Sequence, residues 1–178
     1  MKALWALFWS VCQMRRAPDE VPHSLPLLAL VASLAIGLGI ATQFLAGPAP
    51  APAAVTTVLV GAVVDAAALW GLLAFKRQEL LYVPSLAAVF GSDVVLGLFA
   101  VPLVLAGRLL GDHPMVAVVV FGQMLLVGWN LGVRGFIYHR SARIGIFQAN
   151  MVALTLFLLN IFIAVKLFPE LLGPGGPH

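Results

Sequence analysis

Five stretches of this 178-residue chain are long and apolar enough to cross a lipid bilayer as helices. A hydrocarbon core about 30 Å thick requires about 20 consecutive apolar residues in a helix. The stretches cover roughly residues 25–46, 55–75, 84–107, 115–134 and 145–168. We therefore predict an all-α fold. It is a polytopic integral membrane protein in which residues 1–178 form one membrane domain.

The scarcity of charge supports this class. Only 10% of the residues are charged, against roughly a quarter in soluble domains. The formal charge of +3 does not indicate a nucleic-acid partner, because ten basic residues scattered over the chain form no basic patch. The composition therefore excludes an ordinary soluble enzyme and a nucleic-acid binder.

The N-terminal segment, residues 1–16, is apolar but too short to span a bilayer, at about twelve apolar residues. Trp5 and Trp9 are typical of side chains that lie at the level of the lipid headgroups. We predict an amphipathic helix that lies in the membrane interface. Its contacts with anionic lipid would come from its basic side chains: Lys2, Arg15 and Arg16.

The distribution of basic residues predicts the orientation. Arg108 and Lys166 lie on one side of the five spans, and the other eight basic residues lie on the opposite side. Cytoplasmic loops carry the excess of Lys and Arg. We therefore predict a bacterial-type inner membrane protein with a cytoplasmic N-terminus and an external C-terminus. The residues assigned to the cytoplasmic side are Lys2, Arg15, Arg16, Lys76, Arg77, Arg134, Arg140 and Arg143.

Two carboxylates fall inside predicted spans. Asp65 lies near the middle of the second span and Asp93 near the middle of the third, at similar depth. An ionised carboxylate there costs roughly 2.5–3.5 kcal/mol on insertion scales. No Lys or Arg is expected at that depth, so the predicted partners are neutral. The predicted intramembrane polar cluster comprises Asp65, Asp93, Gln123, Asn130, Asn150 and Asn160.

This polar cluster has two interpretations at the level of sequence. Intramembrane acids often form a proton or cation site. Alternatively, protonated acids hydrogen-bond to the amides and hold the helices together, each bond contributing about 1 kcal/mol or less.

Small residues recur at helical spacing in three spans. Gly128 and Gly132 form a GxxxG pattern, and Gly37 and Gly61 belong to similar series in the first two spans. Small residues allow helix backbones to approach each other where no hydrophobic force drives association. We predict that these four glycines lie at helix-packing faces.

The region between the fourth and fifth spans is basic. We interpret Arg134, His139, Arg140 and Arg143 as a contact for an anionic lipid headgroup or an acidic partner surface. The four histidines are scattered and none lies mid-span, so we expect neither haem nor metal, and no cofactor. A single cysteine, Cys12, permits no internal disulfide.

Three stretches resemble the Yip-domain family, membrane proteins named for interaction with Ypt/Rab GTPases, and especially its small bacterial members. They are RRAPDEVPHS (15–24), VPSLAAVFGSDVVLGLFAVPLVLAG (83–107), and residues 129–139 leading into the last span. The resemblance implies a five-helix membrane bundle with a cytoplasmic N-terminus. The sequence lacks the Asp-Leu-Tyr-Gly-Pro segment of the eukaryotic members, so the resemblance does not imply GTPase binding.

No paired acid–base or metal motif faces either headgroup layer, and we predict no enzymatic activity. The sequence favours an accessory, scaffold or assembly subunit that contacts membrane lipids and either other integral membrane subunits or further copies of itself. The alternative is a small proton- or cation-coupled carrier that uses Asp65 and Asp93.

Overall fold

The computed structural model describes residues 2–47, 50–111 and 113–167, with side chains from Leu4 onward. This part of the chain is helical, with no strand, which confirms the all-α prediction. Two single-turn 3-10 helices, Pro18–Glu20 and Glu79–Leu81, lie in connections. The α-helices are α1 (Lys2–Cys12), α2 (Leu25–Ala46), α3 (Ala51–Phe75), α4 (Tyr82–Leu110), α5 (Val116–Ala142) and α6 (Ile146–Leu167).

Helices α2 to α6 are each long and apolar enough to span a membrane, and they match the five predicted spans. Two boundaries differ most from the prediction. Helix α3 begins at Ala51, within the proline-rich connection, because Pro52 in the first turn loses no helical hydrogen bond. Helix α5 continues to Ala142, about two turns beyond the predicted end at residue 134.

Helix α4 is the central element of the bundle. Every residue of 84–92 is buried, and the helix packs against α1, α2 and α5. Most of the other tightly buried side chains lie at the same end, where α3 ends, α4 begins and α5 ends; they include Leu73, Ile137 and Tyr138. The bundle is therefore closely packed at the end that carries the α3–α4 connection.

Helix α1 docks on this packed half. Phe8 lies against Gly91 of α4, and the indole Nε1 of Trp129 donates a hydrogen bond to the Cys12 carbonyl oxygen at 2.8 Å. Trp9 packs with Phe99 and Trp129, with ring centroids 5.8 and 6.1 Å from its own.

The side chains of α1 differ in their surroundings. Burial raises the pKa of the Cys12 thiol to about 12, with the nearby Asp93 carboxylate adding to the effect, so the thiol stays protonated. Trp5 is 46% exposed, as an interfacial side chain would be. Arg15 and Arg16 are exposed, whereas the side chain of Lys2 lies outside the described part of the chain. The interfacial depth of α1 stays a prediction.

The four predicted packing glycines divide into two pairs. Gly61 faces Asn160, and Gly132 lies beside Met14. Gly37 and Gly128 are exposed, and a Cβ built on either would meet nothing within 4 Å among the described residues, so their role in helix packing stays a prediction. The close helix contacts occur at other glycines instead: Gly91 against Phe8, Gly97 against Leu38, and Gly135 against Asn150.

Candidate functional site

A buried arginine joins the two intramembrane carboxylates. Arg134 of α5 donates from Nη1 to Asp65 Oδ2 at 2.6 Å and from Nη2 to Asp93 Oδ2 at 2.9 Å. The three side chains are 14%, 7% and 20% exposed, respectively. The planar guanidinium suits this role because its two terminal nitrogens donate in fixed, divergent directions. We call this group the Asp–Arg–Asp triad.

This arrangement corrects the sequence prediction. We expected no basic partner at mid-depth and assigned Arg134 to the cytoplasmic connection. That assignment is wrong because α5 continues to Ala142 and carries Arg134 inside the bundle, about two turns from the helix end. A sequence signal was present: Arg134 follows Asn130 by four residues, which places both side chains on one face of the helix.

Two amides complete the hydrogen bonding of the triad. Asn130 donates from Nδ2 to Asp93 Oδ1 at 3.0 Å, and Asn160 of α6 donates from Nδ2 to Asp65 Oδ1 at 3.1 Å. Each carboxylate oxygen therefore accepts one hydrogen bond. The network joins α3, α4, α5 and α6.

Four of the six predicted polar-cluster residues meet here, and two do not touch the triad. Gln123 lies nearer the start of α5 and lines a cavity beside Asp93. Asn150 lies about 15 Å along α6 from Asn160 and packs against Gly135.

An open cleft of about 330 Å³ leads to the triad. Its polar wall residues Thr42, Gln43 and Thr57 lie towards the end where α2 finishes and α3 begins. The triad lies at its inner end, next to the packed half of the bundle. The other walls are mostly apolar and come from α2, α3 and α4: Ala35, Ile36, Leu38, Gly39, Val58, Gly61, Ala62, Phe90, Gly97 and Ala100.

Several buried polar atoms at this site have no hydrogen-bond partner among the described residues. Thr57 Oγ1 and Asn160 Oδ1 belong to residues that line the cleft, and Arg134 Nε belongs to the triad itself. Buried polar groups are rarely left unpaired in folded proteins. These atoms therefore indicate capacity for a polar ligand or ordered water.

Asp93 also borders a second cavity. This space of about 340 Å³ lies between α4, α5 and α6 and is lined by Gln123, Asn130 and Phe157. Asp93, Gly97 and Ala100 line both cavities. Asp93 thus borders two cavities.

The remaining basic residues of the predicted lipid-contact group lie at the end of α5, away from the triad. Arg140 is exposed and lies over the Phe136 ring, with its guanidinium carbon 5.5 Å from the centroid. Arg143 is exposed and ends the helix in a left-handed conformation, at φ 51°. His139 Nδ1 pairs with the Ile144 carbonyl oxygen. Arg140 and Arg143 remain accessible to a headgroup or a partner.

Comparison with known proteins gives no further assignment. No family model, no curated protein and no solved structure matches this chain. The fold defines the class: the described part of the chain has five helices long and apolar enough to cross a membrane, as in a multi-pass membrane protein.

Proposed function

We propose that this protein is a small, non-enzymatic membrane carrier that binds a proton or a cation at the Asp–Arg–Asp triad. The observation that carries the proposal is the charge at the inner end of the cleft. Two carboxylates and one guanidinium leave one negative charge uncompensated if all three are ionised. Ionisable groups within spans are costly and usually mark ion or substrate pathways.

The residues of the site have distinct roles in this proposal. Asp65 and Asp93 receive the proton or cation. Arg134 keeps both carboxylates together, and the amides of Asn130 and Asn160 fix their orientation. Neutralising one carboxylate weakens its attraction to Arg134 and shifts the guanidinium towards the other. Loading of the site is thereby linked to the packing of α3 against α4 and α5.

The triad bears on the two interpretations of the polar cluster, an ion site and protonated acids that hold the helices together. The second interpretation depends on the absence of a counter-charge near the acids. Arg134 supplies one positive charge between the two acids, which offsets one of the two carboxylates. The basic residues and the Yip-domain resemblance favour a bacterial-type cell with the N-terminus in the cytoplasm. In that orientation the end of the cleft that carries Thr42, Gln43 and Thr57 lies towards the outside.

Flux measurements test the carrier. In liposomes with an imposed potential, the Asp65→Asn and Asp93→Asn variants should each reduce proton or cation flux at least about tenfold, because the amide cannot carry the charge. Thr155→Ala is the matched control, since Thr155 is an exposed α6 residue whose hydroxyl bonds to its own helix. Equal flux in all four proteins, or none in the unaltered protein, would contradict the proposal.

A second candidate, an accessory or scaffold subunit, is favoured by the exposed glycines. Gly37 and Gly128 are exposed on α2 and α5, and a Cβ built on either would meet nothing within 4 Å among the described residues. Such faces allow close approach of another membrane helix, from a partner subunit or from a second copy. The exposed Arg140 and Arg143 would add contacts with anionic lipid or an acidic surface.

Purification in a gentle detergent tests the second candidate. A subunit should retain a stoichiometric membrane partner, and Gly128→Leu should release it by blocking the close approach. Recovery of the unaltered chain as a monomer would exclude the subunit role and leave the carrier proposal intact.

A further inference from the structure

The cleft beside the triad has the chemistry of a site for an organic cation. We propose that it binds a small molecule that carries an ammonium group, with the ammonium at the carboxylates and the apolar part against the cleft walls. This inference rests on the proposed function, because it names the class of cation that the carrier would take.

The charge of the side chains in the cleft favours a cation as the ligand. Asp65, Asp93 and Arg134 are the charged side chains that line the cleft, and together they leave one negative charge. An anion would meet a guanidinium whose two terminal nitrogens already donate to carboxylates. A monovalent cation would bring the site to neutrality, which lowers the cost of holding charge in an apolar environment.

The free hydrogen-bonding groups of the cleft are acceptors, so they favour a ligand that donates hydrogen bonds. Asn160 Oδ1 has no hydrogen-bond partner among the described residues, and the two carboxylate oxygens of Asp65 accept only one bond each. A carboxylate oxygen has two lone pairs, so each can accept again. An ammonium group carries up to three N–H donors and would donate to these carboxylate oxygens and to Asn160 Oδ1 beside them.

The walls favour an organic cation over a bare metal ion. Val58, Ala62, Leu38 and Phe90 supply apolar surface next to the charged end. Hard metal ions require about six oxygen ligands. Among the described residues, no three His, Cys, Asp or Glu side chains lie close enough together to hold a metal ion. The volume of about 330 Å³ lies at the lower end of small-ligand pockets, roughly 300–1,000 Å³.

Ligand-induced stabilisation of the full chain in detergent tests this assignment. Benzylammonium chloride should raise the thermal unfolding midpoint saturably, because a ligand that binds only the folded state stabilises it. Benzyl alcohol, which has the same shape without the charge, and sodium chloride at equal ionic strength should not. Equal stabilisation by either would overturn the assignment.

Variants locate the binding. Asp65→Asn should raise the apparent Kd for benzylammonium at least about tenfold, as expected for loss of a charge-assisted hydrogen bond. Ala62→Leu should raise the Kd about two- to tenfold, because the larger side chain fills part of the cleft that the apolar half of the ligand would occupy beside Asp65. Ala67→Leu is the matched control, because Ala67 lies on the same helix, is exposed and does not line the cleft. Identical affinities in the two leucine variants would exclude this site, even if Asp65→Asn failed to fold.

The two proposals fail separately. Saturable benzylammonium binding without flux in liposomes would leave this inference standing and overturn the carrier. Proton flux without benzylammonium binding would support the carrier and overturn the organic-cation site.

Discussion

Replacing Arg134 with methionine should destabilise the protein by about 3–5 kcal/mol, the cost of breaking a buried ion pair by removing one partner. Methionine preserves much of the side-chain length but leaves Asp65 and Asp93 facing each other without a counter-charge. The free energy of unfolding, measured by denaturant titration in mixed micelles, gives the size of the effect.

Two further variants separate charge from geometry. Arg134→Lys restores the charge without the divergent pair of donors and should recover only part of the stability. Combining Arg134→Met with Asp65→Asn and Asp93→Asn removes all three charges and should recover most of it, because neutral replacements of buried ion pairs are often tolerated. If Arg134→Met alone unfolds like the unaltered protein, the triad does not stabilise the bundle.

Introducing a side chain at Gly135 should also be costly. A Cβ at this position would overlap the Asn150 side chain and lie 3.3 Å from the Asn150 Cα, where the backbone of α6 leaves no room. Overpacking of a close contact costs typically 1–3 kcal/mol, so Gly135→Val should lower the free energy of unfolding by about that amount.

Gly128 offers the matched control for this packing prediction, two turns earlier on the same helix. A Cβ there meets nothing within 4 Å, so Gly128→Val should leave the stability of the isolated chain unchanged within about 0.5 kcal/mol. An equal loss in both variants would show that glycine itself, rather than the approach of α6, accounts for the effect.

The fold was predictable because bilayer thickness imposes a length that apolar stretches reveal directly. The first span, Leu25–Ala46, matches its prediction at both ends. The two boundaries that differ most lie next to a proline and a basic residue. Proline at residue 52 suggested a connection although it is acceptable in a first helical turn, and Arg134 suggested a helix end although its charge is neutralised inside the bundle.

The site was predictable in its acids and amides but not in its centre. Asp65, Asp93, Asn130 and Asn160 stood out because each is polar within an apolar stretch. Arg134 did not, since it borders a basic segment from which only tertiary contacts distinguish it. Glycine spacing alone does not identify the close contacts within the chain, because sequence cannot tell which face of a helix meets a neighbour. Gly128 fits the GxxxG pattern and is exposed, whereas Gly135 fits no pattern and touches Asn150.

The triad also bears on the order in which the chain enters the membrane. Asp65 and Asp93 precede Arg134 in the sequence, so during synthesis both acids reach the bilayer before the residue that neutralises them. A nascent chain that ends after α4 therefore holds two carboxylates without a counter-charge. Insertion of α5 brings Arg134 to the carboxylates, and each charge then lowers the cost of holding the opposite charge in the bilayer. For a charge at the bilayer centre that cost is roughly 2.5–3.5 kcal/mol. Helix α5 therefore brings the counter-charge for the carboxylates of α3 and α4.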